Sequence, residues 1–271
     1  MVATSNTPVV LSRAPQALYI LVMAFRIICR LDVKPPMLVK GIHLEGLRKV
    51  GEPKEFARSY YEQGADEINY HDIVASLYQR NSIGHLLRAT AGEVFIPITV
   101  GGGIRSLKDA TGLLRLGADK ICINTAAIRN PSLIRDVADV TGRQAVVLGV
   151  EAKKRDSGWE AMTDCGRERT GRDVLDWIAE AESLGAGEVL LTSVDQEGTS
   201  QGFDFELIRA ARSVCNVPLI AHGGAGDPMD IVGAHSSGAD AAAVATALHY
   251  NRYSVSDFKD ALRDHGVEVR S

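Results

Sequence analysis

No two cysteines stand in a Cys-x-x-Cys pair; Cys29, Cys122, Cys165 and Cys215 are scattered over 271 residues. Such spacing supports neither a zinc site nor a disulfide framework, and a reducing cytoplasm is the plain expectation. His43, His71, His85, His222, His235, His249 and His265 show no metal-ligand spacing, so neither a metal nor an organic cofactor is expected. Positive charge is not in excess: 30 Lys and Arg stand against 34 Asp and Glu, a net charge of −4, which gives no nucleic-acid footprint. The apolar run Ala17–Phe25 is too short to span a membrane. Only Arg13 precedes it as a positive charge, and no convincing cleavage pattern follows, which disfavours a secretory signal. Residues 1–24 therefore read as an extension, either disordered or upstream of a natural start at Met23. Residues 25–271 read as one domain, with no linker or low-complexity segment inside it.

What is present is ordinary for one domain: 45% apolar and 24% charged residues, at a length close to that of a single α/β barrel. The informative feature is an internal repeat. Gly64-Ala65-Asp66-Glu67 returns as Gly185-Ala186-Gly187-Glu188, and Ile96-Pro97 with Gly102-Gly103 returns as Val217-Pro218 with Gly223-Gly224. Gly117-Ala118-Asp119 with Thr125-Ala126 returns as Gly238-Ala239-Asp240 with Thr246-Ala247, always at an offset of 121. Each half alternates short apolar runs with amphipathic stretches. Residues 27–33, 67–73, 96–100 and 120–124 read as strands, repeated at 146–151, 188–193, 219–221 and 241–245. Residues 53–62, 107–116, 172–184 and 205–214 are among the helical periods between them, each ending near glycine. Four βα units, doubled, predict a (β/α)8 TIM barrel built from two homologous half-barrels. An open, doubly wound sheet is the alternative.

In such a barrel the site lies at the C-terminal ends of the strands. Gly102 and Gly103 follow the third strand, and Gly223 and Gly224 the seventh, where exposed backbone N–H groups suit an anion. Asn124-Thr125 and Ala245-Thr246, at the ends of the fourth and eighth strands, are the second members of these sites, and Gly198 joins the latter. The repeat sets the two sites on opposite sides of one mouth, which favours a ligand with a phosphate at each end. Asp32 ends the first strand and Glu151 the fifth. Facing each other, they suit general acid and base work if their environments split their pKa values. Asp72 and Asp195 end the second and sixth strands, where binding substrate hydroxyls and bracing a loop are equally open. At the opposite end, Arg26, Glu67, Lys120 and Glu188 fit either a salt-bridged ring closing the barrel or mere surface pairing, and the residues alone leave the latter ahead.

LVKG at 38–41, GADE at 64–67, VGGGIRS at 100–106, GADK at 117–120, GAGE at 185–188 and GGAG at 223–226 resemble one family, the HisF cyclase subunits of imidazole glycerol phosphate synthase. The similarity runs from about Arg26 to about Val269. The resemblance implies a heterodimer in which a glutaminase of the HisH type releases ammonia. The ammonia crosses the barrel and attacks a bis-phosphorylated formimino aminoimidazole carboxamide ribonucleotide. It further implies Asp32 as one catalytic carboxylate, Arg26, Glu67, Lys120 and Glu188 as the ammonia gate, and Asp119 at the glutaminase-facing side. Five positions at the catalytic face depart from the family pattern. Glu151 stands for an aspartate, Arg30 for a cysteine, Pro35-Pro36 for Asp-Gly at the start of the mobile active-site loop, Glu197 for an aspartate and His222 for a serine. Retained gate and altered face leave a second expectation, a paralogue feeding ammonia to a sugar acceptor in surface-polysaccharide synthesis. A third, a non-catalytic barrel that only activates a glutaminase, is opposed by the retention of Asp32.

Overall fold

Apolar runs of four to nine residues, separated by capped amphipathic helices, have one economical arrangement: parallel strands that face each other inside and helices outside. A computed structural model has this arrangement, and it describes residues 24–75 and 83–270. The strands are β1 (Arg26–Lys34), β2 (Met37–Ile42), β3 (Glu45–Gly51), β4 (Glu67–Asp72), β5 (Ile98–Gly101), β6 (Lys120–Ile123), β7 (Val146–Lys154), β8 (Trp159–Thr163), β9 (Glu168–Asp173), β10 (Glu188–Ser193), β11 (Leu219–His222) and β12 (Ala241–Val244). Eight of them, β1, β4, β5, β6, β7, β10, β11 and β12, pair in parallel, and the β12–β1 and β7–β10 pairings close the barrel. Apart from Ala24, the extension expected at 1–24 lies outside the described residues.

Two antiparallel hairpins stand on the mouth. β2 and β3 continue from β1, and β8 and β9 continue from β7. They occupy equivalent places in the two halves, so the duplication extends to its excursions. The segment after Pro35-Pro36, expected as a loop, forms the first of these hairpins.

The barrel interior is layered. On β1, Arg26, Ile28, Arg30 and Asp32 share the inward face by the two-residue period of a strand. Ile28 packs with Cys122, Val147, Leu190, Ile220, Ala241 and Ala243 in an apolar ring across the interior. The alternate residues Ile27, Cys29, Leu31 and Val33 face outward into the main core with Ile68, Trp177 and Phe258.

The helices begin where the sequence supplies caps. The helix Leu107–Arg115 starts at Ser106, whose hydroxyl accepts from the Asp109 N–H. Val174–Leu184 starts at Asp173 and stops at Gly185, in the left-handed region at φ 112°. Pro228–Ser236 and Val255–Asp264 open with full capping boxes, Asp227 with Asp230 and Ser254 with Asp257.

The repeated Gly-Ala-Asp triplet has a structural meaning. Asp66, Asp119 and Asp240 each use a carboxylate oxygen to accept the N–H that opens a neighbouring strand, from Ile27 at 2.7 Å, Ile98 at 2.8 Å and Leu219 at 2.8 Å. Those N–H groups sit where the ladder has only begun, so the aspartates satisfy donors that strand pairing leaves open. Asp66 also pairs with Lys259, and Asp240 with Arg212. Asp119 is exposed and has no ion pair among the described residues.

Candidate active site

The bottom of the barrel is closed by four charges in one cycle. Arg26 reaches Glu67 at 3.2 Å and also pairs with Glu188; Lys120 reaches Glu67 at 2.7 Å and Glu188 at 2.8 Å. Each charge thus has two opposite neighbours. Thr99 donates a further hydrogen bond to Glu67. Burial works against the Arg26 charge, but Glu188 and Glu67 prevail and its pKa is raised. The surface-pairing alternative fails on burial: the two carboxylates are 2% and 5% exposed.

Above the apolar ring the interior turns polar again. Asp32 is buried, accepting from Arg30 Nε at 2.8 Å and from Lys40 Nζ at 3.1 Å. Burial alone would raise its pKa, yet the Arg30 and Lys40 charges hold it far below the usual carboxylate range. Lys40, on β2, also pairs with Glu197. The other Glu197 oxygen accepts the Leu44 N–H at 2.8 Å, and the Glu197 carbonyl accepts the His43 N–H at 2.8 Å. The β2–β3 hairpin is thereby fastened across the mouth to the loop after β10. Arg30 Nη1 approaches His222 Nδ1 at 3.4 Å, and Thr192 lies 3.1 Å from the same nitrogen. A guanidinium only donates, so Nδ1 is the acceptor and the proton resides on Nε2.

Glu151, on the inward face of β7, has a different environment. Its contact is the Gly166 N–H at 2.8 Å. Burial raises its pKa to about 7; the Gly166 hydrogen bond and Arg30 oppose the shift, while Asp164 and Asp32 add to it. The two carboxylates expected to face each other therefore differ in protonation, Asp32 fully ionised and Glu151 poised near neutrality.

Both glycine turns are where the repeat predicts them, all four glycines with positive φ and the first of each pair closely matched. Gly102 and Gly223 have φ 93° and 96°, and a Cβ on Gly102 would lie 2.1 Å from the Asp72 carbonyl oxygen. Asn124 (φ −119°, ψ −88°) and Ala245 (φ −132°, ψ −78°) likewise share an unusual backbone before the short helices Thr125–Arg129 and Thr246–His249. The two half-sites nevertheless differ in room. Glu151, Gly102, Gly103, Asn124 and Thr125 line a cavity of about 250 Å³. Gly198, Gly223, Gly224, Ala245 and Thr246 line one of about 10 Å³, with Lys40 and Glu197 in its wall, space for roughly one water. Asp195 joins neither cavity; it accepts the Lys154 N–H at 2.8 Å and pairs with Lys153 at 3.4 Å, the loop-bracing alternative.

Lys40 and His71 are the site residues that sequence reasoning passed over. His71 shares the inward face of β4 with Glu67, and the same two-residue step points to it. Lys40 lies in the LVKG stretch that carries the family resemblance, but its local pattern did not place it at the mouth, because its hairpin was not expected.

Fold and site together define a duplicated (β/α)8 barrel with a charged ring closing its bottom and a polar, carboxylate-bearing mouth. Residues 26–254 match the family described as histidine biosynthesis protein. The chain is 60% identical over 202 residues to imidazole glycerol phosphate synthase subunit HisF of Legionella pneumophila, covering 74% of this chain and 95% of that one. It is 48% identical over 254 residues to the HisF subunit of Bifidobacterium longum strain DJO10A (92% and 99%), and 48% over 250 residues to that of Wolinella succinogenes (92% and 98%). The chain belongs to the HisF family of histidine biosynthesis proteins. No helix among the described residues is long and apolar enough to cross a membrane.

Proposed function

We propose that this chain is the cyclase subunit of a cytoplasmic imidazole glycerol phosphate synthase. It receives ammonia from a HisH-type glutaminase docked at the bottom of the barrel, next to Asp119. At the mouth it converts the bis-phosphorylated formimino aminoimidazole carboxamide ribonucleotide to imidazole glycerol phosphate and aminoimidazole carboxamide ribonucleotide. The observation that carries this reading is the closed cycle Arg26–Glu67–Lys120–Glu188 on the barrel axis. Buried charges are costly unless fully paired, and nothing in the packing of a barrel requires them there. A ring that opens by one side chain swinging aside suits a small neutral molecule such as ammonia.

At the mouth, Glu151 is the proton-transfer group, because a pKa near 7 suits both giving and taking a proton at neutral pH. Asp32 is the fixed anion that stabilises positive charge developing on the attacking nitrogen. Gly102, Gly103, Asn124 and Thr125 hold one phosphate in the open cavity; Gly198, Gly223, Gly224, Ala245 and Thr246 hold the other once Lys40 and Glu197 move apart to widen their site. The test is turnover of the bis-phosphate with ammonium salt and the purified chain alone. Formation of both products supports the reading, and their absence with a folded protein defeats it.

A second reading has one specific observation behind it. The Lys40–Glu197 pair narrows the second anion site to about 10 Å³, which favours an acceptor with a single anionic end, such as a phosphorylated or nucleotide-activated sugar. The same assay separates the two: a chain that folds and binds phosphate but leaves the bis-phosphate untouched fits the sugar acceptor.

A further inference from the structure

Among the described residues, seven buried polar side-chain atoms have no protein partner, and three of them lie together in the barrel: Asn69 Oδ1, His71 Nδ1 and Asn124 Oδ1. Asn69 and His71 are successive inward positions on β4. His71 and Asn124 line the 250 Å³ cavity with Glu151. A buried polar atom without a partner is costly, so two of them on one cavity mark a place where a bound group restores the hydrogen bonds.

The orientation of Asn124 is fixed from behind. Its Nδ2 donates to the Met162 carbonyl at 3.2 Å, which turns Oδ1 into the cavity as an acceptor, and a ligand must bring an N–H or O–H to it. His71 Nδ1 faces the position where residue 101, a glycine, carries no side chain: a Cβ there would lie 2.4 Å from it. Burial, then the Arg30 charge, lowers the His71 pKa to about 3, so the ring is neutral at working pH and forms hydrogen bonds without charge. His71 pairs with Gly101, the residue before the turn, and Asn124 lines the same cavity as Gly102 and Gly103, so both border the space that a ligand with its phosphate on that turn would fill.

We infer that His71, with Asn124, reads hydrogen-bonding groups on the uncharged portion of the acceptor, and so sets which acceptor the open half of the mouth takes. This rests on the reading that an acceptor phosphate binds at Gly102–Gly103. The ligand class is a monophosphate or half of a bis-phosphate that carries an amide, amine or hydroxyl next to its phosphate-bearing sugar.

The test is calorimetric titration of the full chain with inorganic phosphate, ribose 5-phosphate and aminoimidazole carboxamide ribonucleotide, using wild type, His71→Leu and His71→Gln. Wild type should bind at least one organic phosphate more tightly than inorganic phosphate. His71→Leu should weaken that ligand about tenfold and inorganic phosphate less than about twofold, and His71→Gln should recover most of the loss. In protein with 15N-labelled histidine, the His71 Nδ1 resonance should move with the organic ligand and not with inorganic phosphate. Wild type that binds no organic phosphate more tightly than inorganic phosphate overturns the inference. So does His71→Leu that binds the organic ligand like wild type, or that loses both ligands equally. Binding of ribose 5-phosphate with no gain for the ribonucleotide keeps this inference and counts against the histidine-pathway acceptor instead.

Discussion

Two carboxylates on opposite strands of one mouth behave differently because their neighbours differ. Asp32 has Arg30 and Lys40 within hydrogen-bond distance, whereas Glu151 has one backbone N–H. The first consequence is kinetic. If Glu151 must be protonated for the rate-limiting step, kcat/KM should be level at low pH and fall as pH rises through about 7. Glu151→Gln should abolish that limb and lower the rate at least about 100-fold. A retained limb would assign the titration to another group. The second consequence is thermodynamic. The unfolded chain gives up the Glu151 proton near 4.3, but the fold keeps it to about 7, so this residue costs stability progressively as pH rises through that window. Glu151→Gln should therefore gain on wild type in urea-melt stability between about pH 4.5 and 7. Two histidines act in the other direction: His71 and His249, with pKa lowered to about 3 and about 4, stabilise the fold above the unfolded value of 6.5, and that contribution fades as pH falls below it. Asp32→Asn should abolish ammonia-dependent turnover and also destabilise the fold, since it leaves Arg30 and Lys40 facing a neutral amide. Near wild-type turnover would reassign Asp32 to binding. Strand-end position made Asp32 and Glu151 legible in the sequence. Their unequal protonation was not, because it depends on how Arg30 is turned, on Lys40, which a hairpin brings in from outside the barrel strands, and on the burial of Glu151.

At the scale of elements, the helices and barrel strands follow from local signals. Pro53–Glu62 and Glu188–Ser193 have the bounds that periodicity gives them. Other strands differ by one to three residues, where register with a neighbour rather than composition decides the end. The hairpins β2–β3 and β8–β9 were invisible for a physical reason. β3 and β9 are largely exposed and polar, so they lack the apolar alternation that marks a strand with a buried face. Caps were readable, and they are testable: Ser106→Ala removes the hydroxyl that accepts the Asp109 N–H and should cost about 1 kcal/mol, seen as a lower urea midpoint with an unchanged slope. Asp240→Ala should cost more, because it loses the Leu219 N–H and the Arg212 pair together. Equal or smaller loss than Ser106→Ala would show that the triplet aspartates are replaceable by water.

Across the whole molecule, duplication supplies two of everything and divergence makes the copies unequal. The paired turns keep positive φ at both glycines, a conformation that favours glycine, while one borders an open cavity and the other one nearly filled. The constant offset made the symmetry plain in the sequence; the small cavity has in its wall a pair, Lys40 with Glu197, whose members are 157 residues apart, and no local pattern records such a contact. The bottom ring belongs to this scale as well, since its members come from β1, β4, β6 and β10, three from the first half and one from the second. If it meters ammonia between a glutaminase and the mouth, then Lys120→Ala, which removes two of its four ion pairs, must act on coupling and not on chemistry. The decisive measurement is the turnover of Lys120→Ala in complex with the glutaminase, driven once by glutamine and once by saturating ammonium salt, which enters from the open mouth. The expected result is a glutamine-driven rate reduced about tenfold or more beyond any loss in the ammonium-driven rate. Equal losses in the two would mean that the ring is structural and that ammonia does not pass through it.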